Sequence, residues 1–83
     1  MKILYFAWVR ERVGVAEEEV SPPADVTTVA ALVDWLAAQS DGHAAAFVDR
    51  QKLRAAVDQA FVPLDTAIAG AREVAIFPPV TGG

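Results

Sequence analysis

The spacing of apolar and polar positions changes several times along the chain, and each change marks an element. From Lys2 to Val9 the residues are apolar almost without a break and rich in β-formers (Ile3, Leu4, Tyr5, Phe6, Trp8, Val9). That pattern predicts a central strand covered on both faces. Arg10-Glu11-Arg12-Val13-Gly14 is a charged connection with a glycine at its turn. Val15 to Val20 predicts a weaker strand, crowded with Glu17, Glu18 and Glu19. Such a run reads as a solvated edge that resists strand-to-strand aggregation, in preference to a metal or acid–base site. The two strands are expected to form a hairpin.

Ser21-Pro22-Pro23-Ala24-Asp25 breaks the strand, and Thr27 or Thr28 then caps a helix. Val29, Leu32, Val33 and Leu36 fall at i, i+3, i+4 and i+7, one apolar helical face, with Asp34 off the stripe and Trp35 at its border. The helix is expected to reach about Gln39, with Gly42 as its terminator. Residues 44–52 predict a short helical turn and a loop. Leu53 to Val57 alternates and predicts a third strand, Asp58-Gln59 a turn, and Ala60 to Val62 a fourth strand ended by Pro63. Residues 64–70 predict an irregular crossing. A last strand starts at Arg72 or Glu73 and ends at Phe77, where Pro78 and Pro79 stop sheet pairing.

The order β-β-α-β-β-β describes an α+β domain in two layers, a mixed sheet of about five strands packed on one main helix. The first and last strands, both strongly apolar, can lie parallel in the middle of the sheet, which is the β-grasp or ubiquitin-like arrangement. Strand side chains alternate, so Val74 and Ile76 facing the helix would leave Ala75 and Phe77 facing away. Phe77, with Phe61 and Phe6, would then form an exposed apolar patch at the root of the tail. Arg10 is a candidate charged rim contact.

Composition narrows the chemistry. The 83 residues predict one domain, 1–83, with 78–83 as a flexible tail. Pro-Pro favours an extended stalk. Beyond it, Gly82 and Gly83 are narrow enough to pass a constriction, and they present one reactive group, the Gly83 α-carboxylate. There is no cysteine, so sulfur cannot be carried on a thiol of the chain itself, and the redox compartment cannot be read. A single histidine, His43, is expected at the surface; with no cysteine partners it does not make a structural zinc site, and no metal ligands are assigned. Neither G-x-x-x-x-G-K-[ST] nor G-x-G-x-x-G occurs, and no Ser-His-Asp or Cys-His set exists. Activation of the carboxylate by ATP is therefore expected to need another protein. A net charge of −4 without a basic stripe argues against nucleic acid. The absence of a signal peptide or membrane-length apolar run predicts no membrane partner and a cytoplasmic protein.

Ile3-Leu4-Tyr5-Phe6-Ala7 with Val9-Arg10-Glu11, the stretch Leu53 to Gln59, and above all Glu73-Val74-Ala75-Ile76-Phe77-Pro78-Pro79-Val80-Thr81-Gly82-Gly83 resemble the small subunit of molybdopterin synthase. The likeness covers nearly the whole chain. Two turns depart from the family: Asp58 where Asn is common, and Ala69-Gly70-Ala71-Arg72-Glu73 where an acidic Asp-Gly-Asp-Glu turn is common. The resemblance implies a sulfur carrier that binds no cofactor. The Gly83 carboxylate would be adenylated by a separate ATP-dependent activating enzyme and converted to a thiocarboxylate with sulfur from a donor protein. It would then be threaded through Gly82 into the large subunit, in a heterotetramer of two small and two large subunits. There it would deliver sulfur to cyclic pyranopterin monophosphate, forming the molybdopterin dithiolene. The implied partner contacts are Phe6, Arg10, Phe61, Phe77, Pro78, Pro79, Val80 and Thr81. A thiamine-pathway sulfur carrier, a protein modifier that forms isopeptides, and a plain adaptor with an inert tail are the alternatives at this point.

Overall fold

The computed structural model of the chain describes residues 1–79. The expectations for Val80, Thr81, Gly82 and Gly83 lie outside the described residues. The elements are β1 (Lys2–Tyr5), α1 (Ala7–Val13), β2 (Glu17–Glu19), α2 (Val29–Ala37), α3 (Asp41–Ala46), a 3-10 turn (Arg50–Lys52), β3 (Arg54–Val57), β4 (Ala60–Val62) and β5 (Glu73–Phe77). The five strands form one sheet in the order β2-β1-β5-β3-β4. β5 runs parallel to β1 and antiparallel to β3 at the centre, the expected β-grasp arrangement.

The helix α2 is built as its periodicity predicts. The Thr28 hydroxyl accepts a hydrogen bond from the Ala31 N–H at 3.1 Å, which caps the helix. Two further N-terminal N–H groups, of Val29 and Ala30, donate to the carbonyls of Thr66 and Leu64. Val29, Leu32, Val33 and Leu36 are fully buried against Ile3, Val74 and Ile76 of the sheet's inner face. Leu32→Ala or Leu36→Ala is expected to cost roughly 2–5 kcal/mol in denaturant titrations, since each removes a fully buried side chain and leaves a cavity.

Three expectations fail, each for an identifiable physical reason. The first strand ends at Tyr5, and residues 7–13 form α1, so β1 and β2 pair antiparallel across a helix and not as a hairpin. The chain turns at Ala7, which has φ 52°, a left-handed conformation costing an alanine roughly 1–3 kcal/mol. Beyond it, i,i+4 pairs hold a helix: Val9 and Val13 face the core, while the Arg12 guanidinium lies 4.5 Å from the Trp8 ring. Gly14 is the left-handed C-cap of this helix, its N–H bonded to the Arg10 carbonyl.

Gly42 terminates nothing, since it lies inside α3. A Cβ there would sit 2.6 Å from the Arg12 carbonyl oxygen and 3.0 Å from that of Val13, so this glycine lets α3 approach the end of α1. Gly42→Ala is expected to lower stability by about 1–3 kcal/mol in a thermal melt, because backbone must move to admit the methyl group. His43 is buried, not at the surface, because the Ser40 cap of α3 points its ring inward. α1 and α3 thus extend the helical layer beyond the one main helix expected.

Candidate functional site

Among the described residues, no helix lies over the outer face of the sheet. Residues 44–52 do not cover it: Ala46 and Phe47 belong to the core, with the Phe47 ring 6.2 Å from that of Tyr5 on the helical side. Strand alternation sets what remains. Across the sheet, Leu4 lies opposite Ala75, Ala75 opposite Ala56, and Ala56 opposite Phe61. Two alanines make a low floor between larger side chains. Phe61 and Phe77 meet along one wall with ring centroids 5.5 Å apart, and Phe6 and Ala7 line the same hollow. The result is a largely apolar groove of about 630 Å³, reaching Pro78 and Pro79 at its end. Phe61 is 80% exposed and Phe6 47%, a large unburied apolar surface for a chain of this size.

The groove continues over the β4 edge, where Arg54, Val62 and Pro63 join Phe61 and Phe77 around a second hollow of about 440 Å³. Phe6, Phe61, Phe77, Pro78 and Pro79 are therefore brought together. Arg10 is exposed on α1 and is not among the groove-lining residues. The cation beside the groove is Arg54, opposite Phe77 in the β3–β5 register. Sequence reasoning passed over Arg54, Leu4 and Ala56; the signal for Arg54 and Ala56 was their shared parity on β3.

The β3–β4 turn stabilises the other end. Asp58 and Gln59 both have positive φ, 47° and 73°, as a two-residue hairpin turn of the I′ kind requires. The Asp58 carboxylate accepts hydrogen bonds from the N–H groups of Arg72 at 2.9 Å and Glu73 at 3.0 Å. An aspartate in this turn thus also pins the start of β5, and Gln59 and Glu73 reach the groove.

One polar cluster lies on the inner face. Glu17 and Glu19 are exposed on the edge strand, as expected, but Glu18 turns inward. Its Oε2 accepts hydrogen bonds from the Tyr5 hydroxyl at 2.6 Å and from His43 Nε2 at 2.7 Å. Burial disfavours its charge, yet the bonds from Tyr5 and His43 outweigh that and hold the carboxyl below its ordinary value. Burial first, and then the neighbouring Glu18, push the Tyr5 hydroxyl far above the usual phenol range. A lowered native value means that Glu18 contributes stability above its unfolded value of 4.5, lost as pH falls through the native one. Glu18→Gln is expected to flatten the acid limb of the stability–pH curve there, measured by urea titration at successive pH values.

Residues 3–83 match the ThiS family. The chain belongs to the ThiS family. It is 52% identical to the molybdopterin synthase sulfur carrier subunit of Escherichia coli (strain K12), over 100% of this chain and 99% of that protein. It is 37% identical to the protein of the same name from Haemophilus influenzae, again over 100% and 99% of the two chains. Its structure is similar to that of SAMP1 from Haloferax volcanii, with a TM-score of 0.72 and 26% identity over 100% of this chain and 98% of that one. In this ThiS-family chain, then, the groove and the Gly-Gly end belong to a molecule whose relatives are named for carrying sulfur.

Proposed function

We propose that the chain is the sulfur carrier subunit of molybdopterin synthase, with the Gly83 carboxylate as the carrier group. The observation that carries this reading is the full-length likeness to sulfur carrier subunits, joined to an uncovered apolar groove that runs to the root of the Gly-Gly tail. The large subunit docks on the groove, Phe61 and Phe77 fill its surface, and the tail from Pro78 onward enters the partner's active site. Two carriers and two large subunits make the assembly.

The chemistry follows from the carboxylate. As an anion it is a poor electrophile. A separate activating enzyme joins it to the α-phosphate of ATP, releasing pyrophosphate and leaving an acyl adenylate. A persulfide of the donor protein adds to the acyl carbon, and AMP departs with the bonding electrons. A second thiol then attacks the donor's sulfur in the acyl disulfide, forming a disulfide and releasing the terminal sulfur on the acyl carbon. The C-terminus is then a thiocarboxylate, whose sulfur is the nucleophile toward cyclic pyranopterin monophosphate. The acid–base residues for that step belong to the large subunit, in keeping with the burial of this chain's one histidine, His43, between Ser40 and Glu18 on the inner face of the sheet. The curated relatives favour this pathway over thiamine synthesis, since both are named for molybdopterin.

Intact-mass spectrometry of the protein isolated from its native cell tests the reading. A fraction carrying one oxygen-to-sulfur exchange at the C-terminal glycine is expected, and it should disappear when the activating enzyme is deleted. A chain that never acquires sulfur, in cells making the molybdenum cofactor, would overturn the proposal.

A further inference from the structure

The chain of hydrogen bonds on the inner face ties α3 to the paired strands β1 and β2. Ser40 Oγ accepts from the His43 backbone N–H at 3.1 Å and lies 2.6 Å from His43 Nδ1. Its own hydroxyl hydrogen is therefore free to donate to Nδ1, which leaves the ring hydrogen on Nε2, aimed at Glu18. Glu18 Oε2 takes that hydrogen and the one from Tyr5. Every buried side-chain polar atom among the described residues has a partner, so the network is complete in itself.

Its position gives it a use. Tyr5 is the last residue of β1; the next two, Phe6 and Ala7, line the docking groove on the opposite face. Phe6 is the N-cap of α1 without a side-chain cap bond, and Ala7 holds a left-handed conformation that a relaxed chain would leave. The segment is anchored from the Tyr5 side, by the Tyr5 N–H on the Ala16 carbonyl and the Tyr5 hydroxyl on Glu18. The Tyr5 ring also lies edge-on to His43, at 6.0 Å between centroids. The residue before His43 is Gly42, packed on the last carbonyls of α1. Two successive residues of α3 thus address the two ends of α1, one directly and one through Glu18 and Tyr5.

We propose that Glu18 and His43, acting through Tyr5, are positioning residues for the docking groove: they hold the β1–α1 corner so that Phe6 and Ala7 present one fixed wall to the large subunit. This rests on the docking role proposed above. Neither residue touches the groove, so their effect on binding is indirect.

The experiment records amide shifts of Phe6, Ala7 and Trp8 in the free, isotope-labelled chain, and calorimetric affinity for the large subunit. Glu18→Ala is expected to move all three amides and weaken binding about tenfold, the scale of a hydrogen bond to a charged group. Glu18→Gln offers an amide oxygen to both donors and is expected to restore the shifts and most of the affinity. Tyr5→Phe, which keeps the packed ring, is the milder variant should Glu18→Ala not fold, and is expected to move the same amides. Shifts confined to β2 and α3, with affinity unchanged and only the melting temperature lowered, would reduce the network to a stability brace and overturn the proposal. The amide readout needs no partner, so it fails independently of the docking role, which the groove substitutions below test.

Discussion

A chain lacking Gly82 and Gly83 is expected to transfer no sulfur while keeping most of its affinity for the large subunit. The reasoning separates two jobs. Ordering a backbone residue costs about 1–2 kcal/mol, and glycine loses more freedom than any other residue. Gly82 and Gly83 bring no apolar surface to offset that, so they add little net affinity. The prolines at 78 and 79 are cheaper to order because φ is already set. On the proposed reading, affinity then resides on the groove and reactivity in the last atoms of the chain. One residue added after Gly83 should abolish transfer as completely, since it displaces the reactive carboxylate. Gly82→Ala should slow transfer by hindering passage of the tail while leaving the fold as it is. The measurement is conversion of cyclic pyranopterin monophosphate with sulfide excluded and the activating enzyme supplied. Normal conversion by the truncated or extended chain would show that the Gly83 carboxylate does not carry the sulfur.

The parts of the fold that sequence reveals are those where local pattern and long-range packing agree. Val29, Leu32, Val33 and Leu36 recur at helical spacing after a capping threonine, and all four are buried. Val74 and Ile76 alternate with Ala75 and Phe77, and the sheet uses that parity to separate core from groove. The corner after β1 was hidden because Phe6-Ala7-Trp8-Val9 has strand composition and helical use. Only the i,i+4 pairs Val9–Val13 and Trp8–Arg12 carried the helical signal, masked by the apolar run before them. His43 reads as a surface residue because a lone histidine without cysteine partners gives the sequence no reason to bury it. Its burial comes from Tyr5 and Glu18, which lie 38 and 25 positions away in sequence, and no periodicity reports such a contact. For Arg54, parity on β3 gives the face, but its place beside Phe77 depends on the β3–β5 register, which the folded sheet defines.

Replacing Phe61 and Phe77 together by serine is expected to weaken binding to the large subunit by about two to three orders of magnitude, the scale of losing the aromatic anchor at the centre of an interface. The same substitutions should move the melting temperature little. Phe61 is 80% exposed in the free chain, so its ring contributes little to the core that would be lost. Phe77 is half-buried, and its main aromatic neighbour is Phe61 itself. The floor beneath them, Ala56 and Ala75, is unchanged in the variant, as is the α2 face on the other side of the sheet. Val48 provides the control, because it is 79% exposed yet lies outside the groove-lining residues. Val48→Ser should leave affinity as it was, which separates a specific docking face from a general loss of surface apolarity. The double variant also divides binding from activation. If the activating enzyme reads the tail alone, the variant should still acquire sulfur at Gly83 but fail to pass it on. If that enzyme uses the groove as well, sulfur loading and docking should fall together. Affinity unchanged in the double variant would mean that the large subunit docks elsewhere, and the groove would lose its assigned role.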